Sequence, residues 1–205
     1  AWSEYFGSNA RVVGADINPA SGLLDFKGKA ECLVGDATDP EWTAWLCSSR
    51  GPFDIIIDDG SHRNLDIVKT FFLVYPSIRP GGIYVCEDLH TAYMHSYGGS
   101  PPQRGENAIE LFKEIADLVN LEHWGGASDL LLAEHLPLLS REMTASNTFT
   151  FLDLLAIESV EFCNSMVFIR KTLAGPCSLG PRVVSGATAD VEGEVKRFNA
   201  TRMGL

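Results

Sequence analysis

The chain of 205 residues is 45% hydrophobic and 21% charged, which is typical of one ordinary globular domain and excludes a disordered or fibrous protein. Its formal net charge of −11 disfavours non-specific binding to nucleic acid or to an anionic membrane, because the charges repel each other. Five cysteines without a Cys-x-x-Cys pair favour a reducing compartment, and no apolar run reaches the roughly 18 residues of a membrane span, so we expect a cytoplasmic protein.

The first part of the chain alternates predicted helices and strands. Trp2, Tyr5 and Phe6 have helical spacing, and they lead into "RVVGAD", a short apolar strand that ends at Asp16. A second strand, "ECLVGD", ends at Asp36 and precedes the predicted helix "EWTAWLCSS". Each of these strands therefore brings a carboxylate to its carboxyl end.

The next two strands bring more acids. "FDIIIDD" ends in Asp58 and Asp59, followed shortly by His62, and "GGIYVCED" ends in Glu87 and Asp88, with the helix "LDIVKTFFLVYPSI" between the two strands. Near-continuous apolar strands separated by helices predict a mostly parallel α/β sheet that is covered on both faces. Ligands of such sheets bind beyond the carboxyl ends of the strands, so we expect these acids to gather on one rim.

The second half of the chain is predicted to complete the sheet. The Gly-, Ser- and Pro-rich segment 96–105 indicates a loop over the rim, "NAIELFKEIADLVN" an amphipathic helix, and "SDLLLAEHLPLLS" a helical stretch broken at Pro137. "IESVEFCNSMVFIRK" predicts two strands joined at Asn164 and Ser165, which add an antiparallel hairpin. Periodicity is lost after Gly175, which predicts a tail.

A parallel sheet that ends in an antiparallel hairpin resembles the Rossmann-like class I methyltransferase fold, which uses S-adenosylmethionine (SAM). "VVGADINP", "LVGDATDP", "FDIIIDDGSH", "RPGGIYVCEDLHTAY" and "VEFCNSMVFIRK" together are similar to the metal-dependent sugar O-methyltransferases of macrolide biosynthesis, the mycinamicin and macrocin type. The most specific part is the DDGSH box followed by an ED pair after a PGG turn. The resemblance implies a methyltransferase domain at 1–174 and a tail at 175–205.

The resemblance implies a SAM site at the carboxyl ends of the first strands. Asp16 would accept hydrogen bonds from the ribose hydroxyls, and Asp36 would face the adenine amine. Ala37 stands where relatives often carry a glutamine beside that second aspartate, and Asp58 completes the predicted cofactor set. Acids also close strands in many other α/β folds, so a simple role in strand-end turns is the alternative.

The resemblance also implies a metal site and a general base. Asp59 and Asp88 match two carboxylates that bind Mg²⁺, a hard cation that keeps positions for water or for two sugar hydroxyls. His62 matches the base, and an imidazole titrates near neutral pH. Tyr93 and His90 are predicted to contact the acceptor substrate. The alternative is that both aspartates are solvated caps of their strands.

One part of the fold has no counterpart in the chain. In class I methyltransferases a first strand and its glycine-rich turn precede the helix that we assign to residues 2–6, and a further metal-binding glutamate also lies upstream in the macrolide enzymes. The usual strand order is 3-2-1-4-5-7-6, so this strand would be central. We therefore expect an N-terminally incomplete chain in which the edges of two interior strands lack a partner.

The favoured function is SAM-dependent, Mg-assisted transfer of a methyl group to a hydroxyl of a sugar or a sugar-bearing small molecule. A related enzyme with a different acceptor, similar to the cephalosporin hydroxylase-like or rhamnosyl methyltransferase-like proteins, is one alternative. Another is a degenerate domain that binds SAM or a nucleoside, or serves in assembly, without turnover. Retention of Asp59, His62 and Asp88 favours the enzymes. The resemblance leaves a homo-oligomer open.

Overall fold

The computed structural model describes residues 2–102, 105–124, 133–180, 183, 193 and 195–196. The helices that form its core and support its sheets are α1 (Trp2–Tyr5), α2 (Pro40–Arg50), α3 (Asn64–Val74), α4 (Ala108–Leu118), α5 (Pro137–Ala145) and α6 (Phe151–Leu155). The strands are β1 (Val13–Asp16), β2 (Glu31–Val34), β3 (Phe53–Asp58), β4 (Ile78–Cys86), β5 (Ile157–Cys163) and β6 (Met166–Lys171).

These strands form two hydrogen-bonded sheets. β1 and β2 pair in parallel, and the other sheet has the order β3-β4-β6-β5, in which β3 and β4 are parallel and β6 is antiparallel to both of its neighbours. The predicted α/β architecture with a C-terminal hairpin is therefore confirmed.

The division between the sheets lies between β1 and β3. Within the described residues β1 pairs with β2 alone and β3 with β4 alone, so one edge of β1 and one edge of β3 have no described strand beside them. Apolar side chains on this part of the fold are correspondingly exposed, because Ile55 of β3 is 40% exposed and Val34 of β2 is 42% exposed.

The hydrophobic core lies where α3 and α4 pack against each other and against the larger sheet. α4 buries one apolar stripe at helical spacing, and Asn107 caps its start by accepting a hydrogen bond from the Glu110 amide. Phe71 of α3 is fully buried at the centre of the core. Its ring contacts the rings of Phe72, Tyr75, Tyr84, Phe112 and Phe149.

Pro137 begins a helix, whereas the sequence pattern predicted a break at this residue. Proline suits the first helical position because the amide hydrogen it lacks would have no partner inside the helix. The Glu114 carboxylate of α4 accepts hydrogen bonds from the next amides, those of Leu138 at 3.3 Å and Leu139 at 2.8 Å. Residues 128–132 of the predicted stretch lie outside the described residues.

The predicted tail starts in contact with the domain. The Cys177 amide donates to the Leu155 carbonyl at 2.6 Å, and the Leu179 amide donates to the Glu122 carboxylate. The remainder of the predicted tail at 175–205 falls mostly outside the described residues. Across the part of the chain that is described, no helix combines the length and the apolar character needed to cross a membrane.

Candidate functional site

The carboxyl ends of β3 and β4 lie side by side. The two strands are parallel, and Asp58 at the end of β3 is in register with Cys86 at the end of β4. The Glu87 amide then donates to the Asp58 carbonyl at 2.9 Å, which extends the pairing by one residue. Asp59 and Asp88 therefore leave the sheet at the same edge, as the sequence predicted.

The structure brings together Asp59, His62 and Asp88. One potential ligand atom from each residue lies within 4.8 Å of the other two. Nε2 of His62 is 3.8 Å from Oδ1 of Asp59 and 3.6 Å from Oδ2 of Asp88, and both distances exceed those of hydrogen bonds. The imidazole thus faces two carboxylates across a space that admits an ion, a water or a substrate hydroxyl.

The backbone at this cluster is unusual. His62 has φ +57° and Asp88 has φ +50°, a left-handed conformation that residues other than glycine seldom adopt. Thr91, which is buried, lies with Oγ1 2.8 Å from the carbonyl oxygen of His62 and 2.9 Å from that of Asp88. Sequence reasoning missed Thr91, because a single threonine in "EDLHTAY" gives no signal of such a contact.

The loop that carries His62 is fastened to the start of α3. Ser61 donates from its hydroxyl to Oδ2 of Asp66 at 2.6 Å and accepts from the Arg63 amide at 3.2 Å. α3 begins at Asn64, so His62 lies in the connecting loop with its side chain 24% exposed. The loop is therefore ordered by its own residues, and the imidazole remains accessible.

Asp58 is oriented differently from Asp59. Its carboxylate accepts a 2.8 Å hydrogen bond from the Tyr84 hydroxyl and another from the Gly60 amide. Burial raises the pKa of Asp58, and these hydrogen bonds oppose part of that rise. The side chain thus supports the turn beneath the cluster, while its predicted role in cofactor binding stays a prediction.

Two further carboxylates lie at the ends of β1 and β2. Asp16 accepts from the Ser21 hydroxyl at 2.5 Å and from the Asn18 amide at 2.9 Å, and these hydrogen bonds lower its pKa. Asp36, two residues beyond β2, accepts from the amide and the hydroxyl of Thr38, each at 2.8 Å, which lowers its pKa. Both groups are thereby held in the ionised form, which accepts hydrogen bonds from ribose hydroxyls or an amine.

The segment around Ala37 is fixed by α2. A Cβ atom on Gly35 would lie 1.9 Å from the Trp42 ring, so a glycine is required there. The Ala37 carbonyl accepts a 3.0 Å hydrogen bond from the Thr43 hydroxyl, which is buried. These contacts hold the turn after β2 in place and orient Asp36.

The predicted acceptor residues lie in the turn after β4. Nδ1 of His90 is 2.6 Å from the Ser165 hydroxyl and 3.7 Å from Oδ1 of Asp88. The Leu89 amide donates to the Ser165 carbonyl at 2.8 Å, so the turn of the β5–β6 hairpin touches this site. Tyr93 is 42% exposed at the end of the same turn. Sequence reasoning did not assign the hairpin to the site.

The donor set of the cluster fits a hard divalent cation. Carboxylate oxygens are the protein ligands that Mg²⁺ prefers, and Asp59 and Asp88 supply them, while an imidazole nitrogen suits softer metals. His62 is therefore better placed as a base beside such an ion than as its ligand. A thiol nucleophile is disfavoured here, because burial raises the pKa of Cys86 well above its usual range.

Comparison of sequences places the chain among sugar O-methyltransferases by similarity. It is 38% identical over 125 residues to 8-demethyl-8-(2-methoxy-alpha-L-rhamnosyl)-tetracenomycin-C 3'-O-methyltransferase of Streptomyces olivaceus, an alignment that covers 60% of this chain and 31% of the relative. Demethylmacrocin O-methyltransferase of Streptomyces fradiae is 38% identical over 124 residues, with 60% and 30% covered. L-olivosyl-oleandolide 3-O-methyltransferase of Streptomyces antibioticus is 34% identical over 152 residues, with 72% and 39% covered.

The chain spans about a third of the length of these curated relatives. No family model matches it. The resemblance to macrolide sugar O-methyltransferases that the motifs indicated is confirmed.

Solved structures establish the fold. The MycE methyltransferase from the mycinamycin biosynthetic pathway, in complex with Mg and SAH, superposes with a TM-score of 0.69 at 26% identity, covering 100% of this chain and 45% of that chain. A complex of the same enzyme with Mg, SAH and mycinamycin VI gives a TM-score of 0.68 at 24% identity, with 98% and 44% covered. The class I methyltransferase fold is therefore confirmed.

Proposed function

We propose that this chain carries the cofactor and metal sites of a SAM-dependent, Mg-assisted O-methyltransferase that acts on a hydroxyl of a sugar-bearing small molecule. The observation that carries the proposal is the convergence of Asp59, His62 and Asp88 within 4.8 Å at the carboxyl ends of two parallel strands. The names of the curated relatives and the Mg and SAH in the MycE complexes support it.

In this proposal the ends of the first strands bind the cofactor. Bound SAM supplies a methyl group on a sulfonium, which is electrophilic. Asp16 and Asp36 accept hydrogen bonds from its ribose and adenine, a role for which their lowered pKa values suit them. Ala37 lines the adenine, and Asp58 supports the loop that separates cofactor and acceptor.

Asp59 and Asp88 would hold the Mg²⁺, and His62 would act as the base. A bound Mg²⁺ supplies Lewis acidity that makes a sugar hydroxyl easier to deprotonate. His62 accepts that proton at Nε2 as the new oxygen–carbon bond forms and the carbon–sulfur bond of SAM breaks. The resulting imidazolium lies 3.6 to 3.8 Å from two carboxylates, which favour its positive charge. The products are a methyl ether and S-adenosylhomocysteine (SAH).

The acceptor is proposed to bind beside Tyr93 and His90. Tyr93 offers an exposed aromatic face, and sugar rings present apolar C–H groups that pack on such faces. His90 lies next to Asp88, where it can hydrogen-bond a neighbouring sugar hydroxyl. A rhamnosyl acceptor deserves testing beside the macrolide sugars, because two relatives are named for rhamnosyl tetracenomycins.

We also propose that the methyltransferase domain, of which residues 1–174 are the part in hand, contains one more strand that pairs between β1 and β3. The unpartnered edges of these two strands and the exposure of Ile55 support this proposal. Such a strand, supplied from upstream, would join the two sheets into one.

The cellular setting stays a prediction. All five cysteines lie within the described residues and none forms a disulfide there, which is compatible with the reducing cytoplasm that the composition favours. A homo-oligomer also stays a prediction.

The decisive experiment is isothermal calorimetry of SAM and SAH, with and without Mg²⁺, on this chain and on a version extended upstream by the proposed strand. Binding by the extended version alone would support both the methyltransferase and the additional strand. Binding without transfer to any glycosylated acceptor would favour a non-catalytic domain. Absence of binding by two folded versions would exclude the proposed function.

A further inference from the structure

One buried hydroxyl contacts the backbone of both loops that form the cluster. Thr91 is 3% exposed, and its Oγ1 lies within 2.9 Å of the carbonyl oxygens of His62 and Asp88. His62 lies in the loop after β3 and Asp88 directly after β4. The hydroxyl therefore bridges two loops that are distant in sequence and whose side chains meet at the site.

Both carbonyls belong to residues with left-handed backbone, at φ +57° and φ +50°. Such a conformation is unfavourable for a residue with a side chain, and it persists where surrounding contacts hold it. Thr91 supplies such a contact to each residue. Without it, the peptide units of His62 and Asp88 would be free to relax towards ordinary dihedral angles, and the two side chains would change direction.

The geometry also indicates which carbonyl depends more on the hydroxyl. A threonine hydroxyl has a single proton, which it donates to one acceptor or shares between two. The Asp88 carbonyl already accepts from the Thr91 amide at 3.0 Å, in the turn that follows Asp88. The hydroxyl proton is therefore available to the His62 carbonyl at 2.8 Å.

We propose that Thr91 is a positioning residue that clamps the His62 and Asp88 loops together and so sets the spacing of the metal site and the base. The proposal rests on the proposed function of the same cluster, and it adds a residue that does not itself touch ligand. Thr91 acts through the 3.6 Å separation between the His62 imidazole and the Asp88 carboxylate. Loss of the hydroxyl would loosen this separation before it affected the rest of the sheet.

Two substitutions separate the hydroxyl from the methyl group of Thr91. Thr91→Val keeps the shape and removes the hydroxyl, whereas Thr91→Ser keeps the hydroxyl and removes the methyl group. Thr172→Val is the matched control, because Thr172 is also buried and also donates to a backbone carbonyl, that of Gly175 at 2.6 Å. Thr172 lies near the opposite end of β4, where its carbonyl accepts from the Gly81 amide.

Amide hydrogen exchange on the metal-free protein is the first readout. For Thr91→Val we expect exchange at residues 60–63 and 88–91 to accelerate about tenfold or more, while β4 keeps its protection. Mn²⁺, used as a spectroscopic substitute for Mg²⁺, should bind about tenfold more weakly by electron paramagnetic resonance. Thr91→Ser should restore both properties, and Thr172→Val should leave both at their original values.

Three results would overturn the proposal. They are unchanged exchange in Thr91→Val, equal damage by Thr91→Ser, and global unfolding of Thr91→Val, which would make the hydroxyl a general requirement of the fold. The exchange readout needs neither metal nor methyl transfer. If calorimetry showed no SAM binding while exchange behaved as expected, the proposed function would fail and the clamp would stand.

Discussion

The hydroxyl of Tyr84 donates a 2.8 Å hydrogen bond to Oδ2 of Asp58, directly beneath the cluster of Asp59, His62 and Asp88. Tyr84 is fully buried in β4 and Asp58 ends β3, so the bond ties the two strands at the level where their acids emerge. It also gives a buried carboxyl group a donor that water cannot easily provide. The pair therefore matters to stability as well as to the position of the site.

Tyr84→Phe should lower the free energy of unfolding by about 1–3 kcal/mol, because it leaves the Asp58 carboxyl without this donor. Urea denaturation followed by circular dichroism measures the change. Tyr5→Phe is the control, since Tyr5 is 80% exposed, and it should stay within about 0.5 kcal/mol of the original protein. An equal response of the two variants would contradict a stabilising role for the Tyr84 hydrogen bond.

Asp58→Asn should change how stability depends on pH. Burial raises the pKa of Asp58 above its ordinary value of 3.8, so the folded protein holds this proton more tightly than the unfolded chain does. The contribution of Asp58 to stability is therefore greatest at acid pH and falls as the pH rises through the folded-state pKa. Relative to Asp58→Asn, the original protein should lose stability between acid and neutral pH. A constant difference across a urea series at several pH values would disprove this.

Asp59→Asn and Asp88→Asn should each weaken Mn²⁺ binding by at least about tenfold, because each removes a charged oxygen ligand from the proposed metal site. Calorimetry with Mn²⁺ measures the loss. Asp54→Asn is the control, since Asp54 lies on the same strand as the site but pairs with Arg79 at 3.0 Å. Comparable weakening by all three variants would indicate a general charge effect in place of a defined site.

His62→Gln should reduce methyl transfer by about 10²–10⁴-fold, the usual contribution of a general base, while Mn²⁺ affinity stays within a few-fold. The acid limb of the pH–rate profile should also disappear. His95→Gln, at an exposed position in the turn His95–Tyr97, should leave the rate unchanged. Full activity in His62→Gln would require a different base. The assay uses the extended version together with a glycosylated acceptor.

Phe71→Ala should destabilise the fold by about 3–5 kcal/mol, because it opens a cavity among five aromatic rings. Leu65→Ala on the same helix should change stability by no more than about 0.5 kcal/mol, since Leu65 is 72% exposed. Chemical denaturation of both variants checks the difference. A small effect at Phe71 would mean that the core can rearrange around the missing ring.

Hydrophobic pattern and acid placement were sufficient to predict the element order and the metal cluster. "FDIIID" became β3 and the hairpin formed at Asn164 and Ser165, because continuous apolar runs bounded by polar turns have few other solutions. Asp59 and Asp88 met because they follow parallel neighbouring strands. These features depend on local periodicity and on a general property of parallel sheets.

The contacts that shape the site could not be predicted in this way. Thr91 reaches His62 through a left-handed turn, and no periodic signal marks that conformation in a residue other than glycine. The contact of Ser165 with His90 depends on where the hairpin lies in the sheet. Pro137 was misinterpreted because its support comes from Glu114 on another helix. Each of these depends on tertiary packing.

The division of the strands into two sheets has a thermodynamic consequence. Across residues 2–50 the buried side chains are those of Ser21, Thr43 and Leu46, whereas the core around Phe71 buries more than twenty. The β1–β2 unit should therefore open locally at a much lower free energy than β4 or α3. Asp16 and Asp36 lie on that unit, so a ligand that they bind must also shift an order–disorder equilibrium. Its apparent affinity is reduced by the fraction of molecules in which the unit is open, and any contact that closes the unit acts as a positive effector.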